Sequence, residues 1–275
     1  MTSNQAIIVL AVGLIGLLVV QVVILFYVRG ALSDGEGADP VDEEPQPNRR
    51  TETAGLVGRL RRNGAEQHSR TVREIEALVD LRLLVQARTT MPSTQGWAAS
   101  PLTVSTLVRE VLDTRPQLVV EAGSGGSSVW VGYCLERNGG GRCVSLDHDA
   151  DYAAKTRADI ERHGLTDYVE VVHCPLVDVD IAGQTFRWYD LSKVEGLEGI
   201  DIVFVDGPPG TTGPLARFPA LPLLRERCAP GARFILDDAA RPDEKAIIHR
   251  WTHEHGATVV DRTPGPLGCA TVRAD

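Results

Sequence analysis

The sequence predicts an α/β fold: a doubly wound, Rossmann-like sheet of seven strands with the last strand antiparallel, preceded by a single N-terminal transmembrane helix. Apolar runs of strand length alternate with helical patterns from about residue 95 onward, which is typical of parallel strands joined by crossover helices. The turn residues 263–266 separate two final strand-like runs, as in an antiparallel hairpin. Residues 1–30 are nearly all apolar, unlike the rest of the chain.

The apolar run Ala6–Val28 predicts a membrane anchor within residues 1–28. The run carries no charge, and at about 1.5 Å per residue a helix of this length spans the hydrocarbon core. A cleaved signal peptide is the alternative, but Met1–Gln5 lacks the positive charge that precedes the apolar part of such signals. Because basic residues follow the run and none precedes it, we expect a single-pass membrane protein whose C-terminal bulk lies in the cytoplasm.

Two segments separate the anchor from the predicted sheet. Residues 29–63 begin with a stretch rich in Gly, Pro and acidic residues, which predicts a flexible linker. Residues 64–94 are expected to form a juxtamembrane helix that docks on the main domain, and self-association of this helix is the alternative. Its apolar side chains recur at helical spacing: Val72, Ile75, Leu78, Val79 and Leu83. Residues 95–275 form the main domain.

The composition excludes several classes of protein. The chain has 37 acidic and 28 basic residues, a formal net charge of −9, so we expect no nucleic-acid partner. Hydrophobic residues make up 43% and charged residues 24%, as in ordinary globular domains. The 5 cysteines include no C-x-x-C pair, so neither a disulfide framework nor a zinc knuckle is expected.

Local patterns place the elements of the main domain. Ser100-Pro101 resembles an N-cap followed by proline at the first helical position, and this predicts a helix to about Leu112. The predicted strands are residues 117–121, 143–147, 168–173, 200–206, 233–237, 257–260 and 268–272. Helical patterns lie between them at about 127–136, 152–163, 215–227 and 244–254.

A glycine-rich turn follows the first predicted strand, in the stretch EAGSGGS at 121–127. Glycines there allow the backbone to turn tightly and approach a ligand, and both dinucleotides and S-adenosylmethionine fit such a turn. The dinucleotide fingerprint would need glycine where Ser128 stands. The acid Glu121 suits a cationic ligand better than a pyrophosphate, and Asp147 ends the next strand, where an acid can bind ribose hydroxyls. The alternative is a turn that uses glycine only for packing.

With these motifs the sequence resembles the class I S-adenosylmethionine-dependent methyltransferases, over about residues 95–275. The carriers of the resemblance are EAGSGGS at 121–127, LDHD at 146–149, HCPL at 173–176, DIVFVDGPPG at 201–210 and FILDDAAR at 234–241. The resemblance implies a cofactor site in which Asp147 holds the ribose and His148 lies beside the adenosine. The implied cofactor-binding residues are Glu121, Gly123, Ser124, Gly125, Ser127, Asp147, His148, Cys174, Pro175 and Asp206.

Three acids follow the fourth and fifth predicted strands: Asp206, Asp237 and Asp238. This pattern is similar to that of the metal-dependent catechol and caffeoyl-CoA O-methyltransferases, which implies Mg²⁺ or another divalent cation as a further cofactor. The sequence departs from that group at Asp238, where Asn is usual, and at Pro209, where the lysine base would fall; it resembles the methyltransferase-24 group more closely. The alternative is that Asp206 and Asp237 accept hydrogen bonds without metal while Asp238 caps the next helix.

The candidate catalytic residues are Asp206, Asp237 and Arg241. Either aspartate can remove the proton of a hydroxyl acceptor, while Arg241, or Arg217, can hold an anionic acceptor. Trp97 and the pair Trp188-Tyr189 are candidates for lining the pocket, ordinary packing being the alternative. We therefore hypothesise a membrane-anchored methyltransferase that transfers a methyl group to oxygen of a small molecule, a glycan or a lipid precursor. The alternatives are a non-catalytic cofactor-binding or assembly module and, less favoured by Ser128, a nicotinamide-dependent oxidoreductase.

Overall fold

The computed structural model describes residues 49–94, 96, 98–194, 196–263 and 267–274, with only the backbone at 49–63 and at residue 66. The chain divides into two compact units, residues 1–59 and 60–275, and the following concerns the second. The predicted anchor Ala6–Val28, the linker up to residue 48 and Trp97 lie outside the described residues. Among the helices that are described, none is both long and apolar enough to cross a membrane.

The first described helix, α1, runs from Arg49 to Leu84. The flexible linker predicted over residues 29–63 therefore extends too far, since residues 49–63 are helical. The helix predicted over residues 64–94 is too long at its C-terminal end, because α1 ends at Leu84. The physical reason lies in the sequence, which has no proline between Pro47 and Pro92 and is rich in helix-forming Arg, Glu, Ala and Leu.

Helix α1 packs on the main domain through a different face from the one that the helical spacing of its apolar residues predicted. Ala77, Leu81 and Val85 are buried, with Leu81 fully so. Glu74 Oε2 accepts a hydrogen bond from the backbone N–H of Leu102, at 3.1 Å. The predicted apolar positions are exposed instead, except for half-buried Leu78: Val72 40%, Ile75 56%, Val79 52% and Leu83 74%. The helix thus has two apolar sides, and spacing alone does not reveal which of them packs.

The remaining α-helices are short and connect the strands. Their bounds are α2 Pro101–Thr114, α3 Gly126–Asn138, α4 Ala150–Arg162, α5 Ala220–Leu224 and α6 Pro242–Glu254. Ser100 is the N-cap of α2, as predicted, and its side chain accepts a hydrogen bond from Thr103 N. The predicted helix over 215–227 is largely wrong: Leu215 has a left-handed backbone (φ 52°) and α5 begins only after Pro219.

Nine strands are described, seven of them in one sheet. Their bounds are β1 Leu118–Ala122, β2 Arg142–Asp147, β3 Val169–His173, β4 Leu176–Ile181, β5 Gln184–Tyr189, β6 Ile200–Val205, β7 Cys228–Asp237, β8 Thr258–Thr263 and β9 Cys269–Arg273. The sheet has the order β3-β2-β1-β6-β7-β9-β8. Neighbours from β3 to β7 are parallel, whereas β9 is antiparallel to both β7 and β8. The predicted seven-stranded sheet with an antiparallel last strand is confirmed.

The hairpin of β4 and β5 was not predicted. Its turn residues Ala182 and Gly183 both have positive φ, 53° and 80°, as the tight turns that suit hairpins require. The hairpin lies outside the main sheet, and it buries Phe186, Trp188 and Tyr189 in the core. It therefore carries Tyr189, one of the predicted pocket residues, to its place.

Two apolar clusters of buried residues form the core. One contains side chains of α2 and α3 together with Val119, and the other contains those of α5, α6 and the β5 hairpin strand together with Val120. Because neighbouring strand residues point to opposite faces, Val119 and Val120 show that the clusters cover the two sides of the sheet. The order of strands reverses between β1 and β6, the point where open α/β sheets bind ligands at their carboxyl edge.

Candidate active site

The glycine turn lies where β1 ends, against the end of β6. Gly123 has a φ of +107°, and an added Cβ would come within 3.3 Å of the carbonyl carbon of Asp206 and of Gly207 N. A side chain would therefore both strain the backbone and push the two strand ends apart. Gly123 N donates to Leu146 O at 2.9 Å, so the turn is also fixed to the end of β2. Glycine at this position holds three strand ends together.

Asp147 ends β2 beside this turn and is 5% exposed. Its Oδ2 atom accepts a hydrogen bond from Ser124 Oγ, which also lies 3.0 Å from Thr156 Oγ1. Its Oδ1 atom accepts from Asp149 N at 3.0 Å and lies 3.7 Å from His148 Nδ1. The carboxylate is thus fixed in one orientation, as binding of a ribose diol requires.

Glu121 does not lie where the sequence placed it. Its side chain is fully buried and accepts hydrogen bonds from the hydroxyl groups of Ser128 and Ser145, and it does not line the cavity described below. Burial raises the pKa of Glu121, an effect that these serine hydrogen bonds oppose. As a residue of β1, Glu121 faces helix α3, and the following two residues carry the chain to the ligand edge. The prediction that it touches the cofactor is therefore not supported by its position.

Cys174 and Pro175 also lie away from the cavity. Cys174 is fully buried, and its backbone N–H donates to Asp147 O at 2.7 Å. Neither residue lines the cavity, because the segment passes behind the end of β2 toward the hairpin of β4 and β5. The pair therefore supports Asp147 from behind.

The three predicted acids do come together at the carboxyl ends of β6 and β7. Asp206, Asp237 and Asp238 each offer one carboxylate oxygen, and these oxygens lie within 4.8 Å of one another. Asp237 Oδ1 accepts a hydrogen bond from Thr103 Oγ1 of α2, at 2.8 Å. Asp238 has a left-handed backbone with φ 58°, and helix α6 is capped by Arg241 instead. The alternative in which Asp238 caps this helix is therefore wrong.

Arg217 lies among these acids with its side chain 6% exposed. Its Nη2 atom donates to Asp206 Oδ1 at 3.2 Å and to Asp206 O at 3.1 Å. Its Nη1 atom donates to Asp237 O at 3.0 Å, and lies 3.2 Å from Asp238 Oδ2 and 3.8 Å from Glu244 Oε1. Arg217 thus forms internal ion pairs with these acids, whereas the sequence suggested it as a residue that holds an anionic acceptor.

These contacts set the charge of the cluster. Burial, and next the neighbouring charge of Asp237, raise the pKa of Asp206 well above its ordinary value. Burial and Asp237 likewise raise the pKa of Asp238, against the opposing effect of Arg217. Burial disfavours the charged form of Arg217, but the surrounding carboxylates raise its pKa overall. The protonated form of Asp206 is therefore favoured in the folded protein.

The cluster does not fit a divalent cation as it stands. Oxygen donors suit Mg²⁺ or Mn²⁺ in kind, yet one oxygen of Asp206 and one of Asp238 already lie 3.2 Å from the guanidinium of Arg217. Asp238 Oδ2 also lies 2.8 Å from Arg241 Nη1. A metal would have to displace a buried arginine that is fixed by two backbone carbonyls as well.

One cavity of about 1000 Å³ joins the glycine turn to the acid cluster. Pockets at the upper end of the usual range for small ligands have this size. The predicted residues that line it are Gly123, Ser124, Gly125, Ser127, Asp147, His148, Asp206, Asp237, Asp238 and Arg241. Tyr189 lines it as well, with its hydroxyl buried and without a hydrogen-bond partner in the described part of the chain. Trp188 is fully buried in the core and does not reach the cavity.

Several lining residues were not predicted. Thr103 reaches the cavity from α2, and Tyr152, Lys155 and Thr156 reach it from α4. Their sequence contexts are those of ordinary helices, and only the packing of α2 and α4 beside the sheet edge brings them to the site. Gly126 is the exception, because it belongs to the glycine turn and could have been included on that ground.

Comparison with known proteins agrees with this geometry. Residues 120–239 match a family model, that of the methyltransferase-24 group, described as a methyltransferase domain. No curated protein sequence matches the chain. An O-methyltransferase from Bacillus cereus, solved in complex with SAH, has a TM-score of 0.50 and 20% identity, covering 77% of this chain and 97% of that chain. The SAH-bound methyltransferase PaMTH1 from Podospora anserina has a TM-score of 0.51 and 16% identity, covering 86% and 100%.

The matched segment extends from β1 to just beyond β7, so it contains the glycine turn, Asp147 and the acid cluster. The solved structures share the fold, including the antiparallel last strand beside a parallel sheet. Residues 120–239 of this chain thus match a methyltransferase domain, and the fold and the site described above agree with a class I S-adenosylmethionine-dependent methyltransferase.

Proposed function

We propose that this protein transfers the methyl group of S-adenosylmethionine to a hydroxyl oxygen of a small acceptor. The observation that carries the proposal is the single cavity in which Asp147 and the glycine turn lie at one end and Asp206 and Asp237 at the other. Asp147 at one end suits a ribose, and the carboxylates of Asp206 and Asp237 at the other end can take up a proton. The similar O-methyltransferase from Bacillus cereus is consistent with oxygen as the acceptor atom.

The electrostatics of the cavity favour a cationic methyl donor. Acidic residues outnumber basic ones in its lining, seven to five: the acids are Glu74, Asp147, Asp149, Asp159, Asp206, Asp237 and Asp238, and the basic residues are Arg70, Lys155, Arg162, Arg217 and Arg241. A sulfonium ion is therefore attracted, and an anionic dinucleotide is disfavoured on the same ground. Methyl transfer neutralises the sulfonium, so the product SAH loses this attraction and leaves more readily.

The proposed chemistry is an in-line displacement at the methyl carbon. The acceptor oxygen forms a bond to carbon while the carbon–sulfur bond breaks, and the electron pair of that bond remains on sulfur. The hydroxyl proton passes to the carboxylate of Asp237, or of Asp206, which holds it until it is released to water. Thr103 fixes the orientation of Asp237 through the 2.8 Å hydrogen bond to its Oδ1 atom.

We also propose that Ala6–Val28 anchors the protein in a membrane, with the methyltransferase domain on the cytoplasmic side. Support comes from the sequence alone: an uncharged apolar run followed, and not preceded, by basic residues. An acceptor that lies at the membrane, such as a lipid or glycan precursor, would fit this arrangement. A membrane-fractionation experiment with and without residues 1–28 tests it.

The function is tested with the full chain and S-adenosylmethionine labelled in its methyl group. Phenols, hydroxylated lipids and glycan precursors are offered as acceptors, and the labelled atom in the product is identified by mass spectrometry. We expect label on oxygen, and loss of transfer in Asp237→Asn with cofactor binding retained. Tight cofactor binding without transfer to any acceptor would favour the non-catalytic module instead, and label on nitrogen or carbon would overturn the O-directed reaction.

A further inference from the structure

The acid cluster contains more negative charge than a protein interior tolerates without compensation. Asp206, Asp237 and Asp238 approach one another within 4.8 Å, and Glu244 is buried beside them. Carboxylates so close repel unless a cation or a proton joins them. The identity of that cation decides whether the site needs a metal.

Arg217 supplies a cation at the centre of the cluster. Its two terminal nitrogens reach in two directions, Nη2 to Asp206 and Nη1 to Asp238, each at 3.2 Å. The same nitrogens donate to the backbone carbonyls of Asp206 and Asp237, at 3.1 and 3.0 Å. One guanidinium therefore joins the carboxyl ends of β6 and β7 through both backbone and side chain.

This position is built into the fold. The next residue, Phe218, is fully buried, and its carbonyl accepts a hydrogen bond from Trp251 Nε1 at 2.9 Å. Phe218 N donates to Leu215 O at 2.8 Å, which closes the turn that carries Arg217. The arginine is thus fixed from both its backbone and its guanidinium, and it loses little further freedom in holding the acids.

Other side chains also bind carboxylate oxygens of the cluster. Asp237 Oδ1 receives Thr103 Oγ1, and Asp238 Oδ2 receives Arg241 as well as Arg217. One oxygen of each of the three carboxylates is therefore already held by a donor of the protein, which opposes its use as a metal ligand.

We propose that Arg217 is the resident cation of this site, so that its guanidinium takes the place of a divalent metal and the protein binds none there. Arg217 acts as a positioning residue: it holds Asp206 and Asp238 while Asp237 faces the cavity. The inference concerns the same site as the proposed function. It rests on the proposed function only where it gives Arg217 a role in methyl transfer, because Mn²⁺ binding is measured without an acceptor.

The experiment measures Mn²⁺ binding by electron paramagnetic resonance, which detects the free ion, with the full-length wild type and four variants. Wild type is expected to show no site that depends on Asp238. Arg217→Met, of similar length but uncharged, is expected to bind one Mn²⁺ with an affinity higher by about tenfold or more, a factor that corresponds to about 1.4 kcal/mol. Adding Asp238→Asn to Arg217→Met is expected to remove that site again.

Arg109→Met is the matched control, because it removes the same charge from an exposed arginine whose ion pair with Asp80 is 3.8 Å long. It is expected to bind Mn²⁺ as wild type does. Site-specific binding to wild type that is lost in Asp238→Asn would overturn the proposal. So would folded Arg217→Met that binds Mn²⁺ no better than Arg109→Met.

If Arg217→Met does not fold, the measurement on the wild type still tests the proposal. Mn²⁺ binding to wild type that is lost in Asp238→Asn contradicts the proposal, and absence of such binding supports it. The affinity for S-adenosylmethionine, measured on the same samples, distinguishes this inference from the function. Wild type that binds neither ligand would overturn the function and leave the arginine assignment intact. Wild type that binds S-adenosylmethionine and also binds Mn²⁺ at a site that depends on Asp238 would support the function and overturn the arginine assignment.

Discussion

Arg217 Nη2 lies 3.2 Å from the Oδ1 atom of Asp206 and also donates to the backbone carbonyl of the same residue, at 3.1 Å. The arginine therefore fixes Asp206 by its side chain and its main chain at once. Because Asp206 directly follows β6 and its N–H donates to Ala122 O of β1 at 3.0 Å, this pair connects the acid cluster with the strand that begins the glycine turn. These hydrogen bonds thus connect the residues at the two ends of the cavity.

Removing the charge of Arg217 is expected to destabilise the protein. The change Arg217→Met leaves buried carboxylates without their cation, and breaking a buried pair in this way costs about 3–5 kcal/mol. Urea denaturation followed by circular dichroism measures the free energy of unfolding. Arg109→Met, at an exposed ion pair, is expected to change it by less than about 1 kcal/mol. Equal effects of the two substitutions would contradict the assignment of Arg217 as a structural cation.

Asp147→Asn is expected to weaken cofactor binding without unfolding the protein. Hydrogen bonds to a charged group are worth about 1.5–3 kcal/mol, so the dissociation constant for S-adenosylmethionine should rise about ten- to a hundredfold. The measurement is calorimetric titration. Asp178→Asn, at an exposed position of β4, serves as the control and should bind as wild type does. An unchanged affinity in Asp147→Asn would mean that the ribose does not lie at Asp147.

A methyl group on Gly123 is expected to damage both stability and cofactor binding. In Gly123→Ala the new Cβ lies 3.3 Å from backbone atoms of Asp206 and Gly207, at a φ of +107°. Such a backbone costs about 1–3 kcal/mol in a residue other than glycine. Thermal unfolding and calorimetric titration report the two effects. Gly140→Ala, where nothing lies within 4 Å, is the matched control, and an effect there as large as at Gly123 would contradict the close-approach argument.

The docking face of α1 is tested by two leucines on opposite sides of the helix. Leu81 is fully buried and Leu83 is 74% exposed. Leu81→Ala should lower the free energy of unfolding by about 2–5 kcal/mol, as loss of a buried leucine does. Leu83→Ala should change it by about 0.5 kcal/mol or less. The reverse order in urea denaturation would show that the face selected by sequence spacing is the one that packs.

Glu121 gives a pH dependence whose sign follows from its raised pKa. The folded protein keeps the Glu121 proton above the reference value of 4.5, whereas the unfolded chain releases it. The resulting contribution to stability is complete below that value and is lost as the pH rises toward the folded-state pKa. Glu121→Gln cannot ionise, so its stability relative to wild type should increase across this range in urea titrations. A flat difference would mean that Glu121 is ionised in the folded protein.

Local sequence signals were sufficient for the sheet and for part of the site. The alternation of strands and helices, the glycine turn and the acids after β2, β6 and β7 all follow from short stretches of sequence, and each of them lies at the predicted edge. The hairpin of β4 and β5 was missed although Ala182-Gly183 between two alternating runs is a turn signal. Adding it would have explained why Tyr189 reaches the cavity.

Other features depend on contacts between distant parts of the chain. Thr103 and Asp237 are separated by 134 positions, and nothing near either one indicates that they meet. Arg217 is a similar case, because an arginine in a proline-rich segment gives no sign that it will be buried among acids. Glu121 was misplaced because a strand residue and its neighbour face opposite sides, and sequence alone did not tell which of them turns toward the ligand.

Calorimetric titration of the full-length protein with S-adenosylmethionine tests the central claim most directly. We expect one molecule bound per chain, competition by SAH, and weaker binding in Asp147→Asn. Absence of S-adenosylmethionine binding to folded wild-type protein, or binding of NADH in its place, would contradict it.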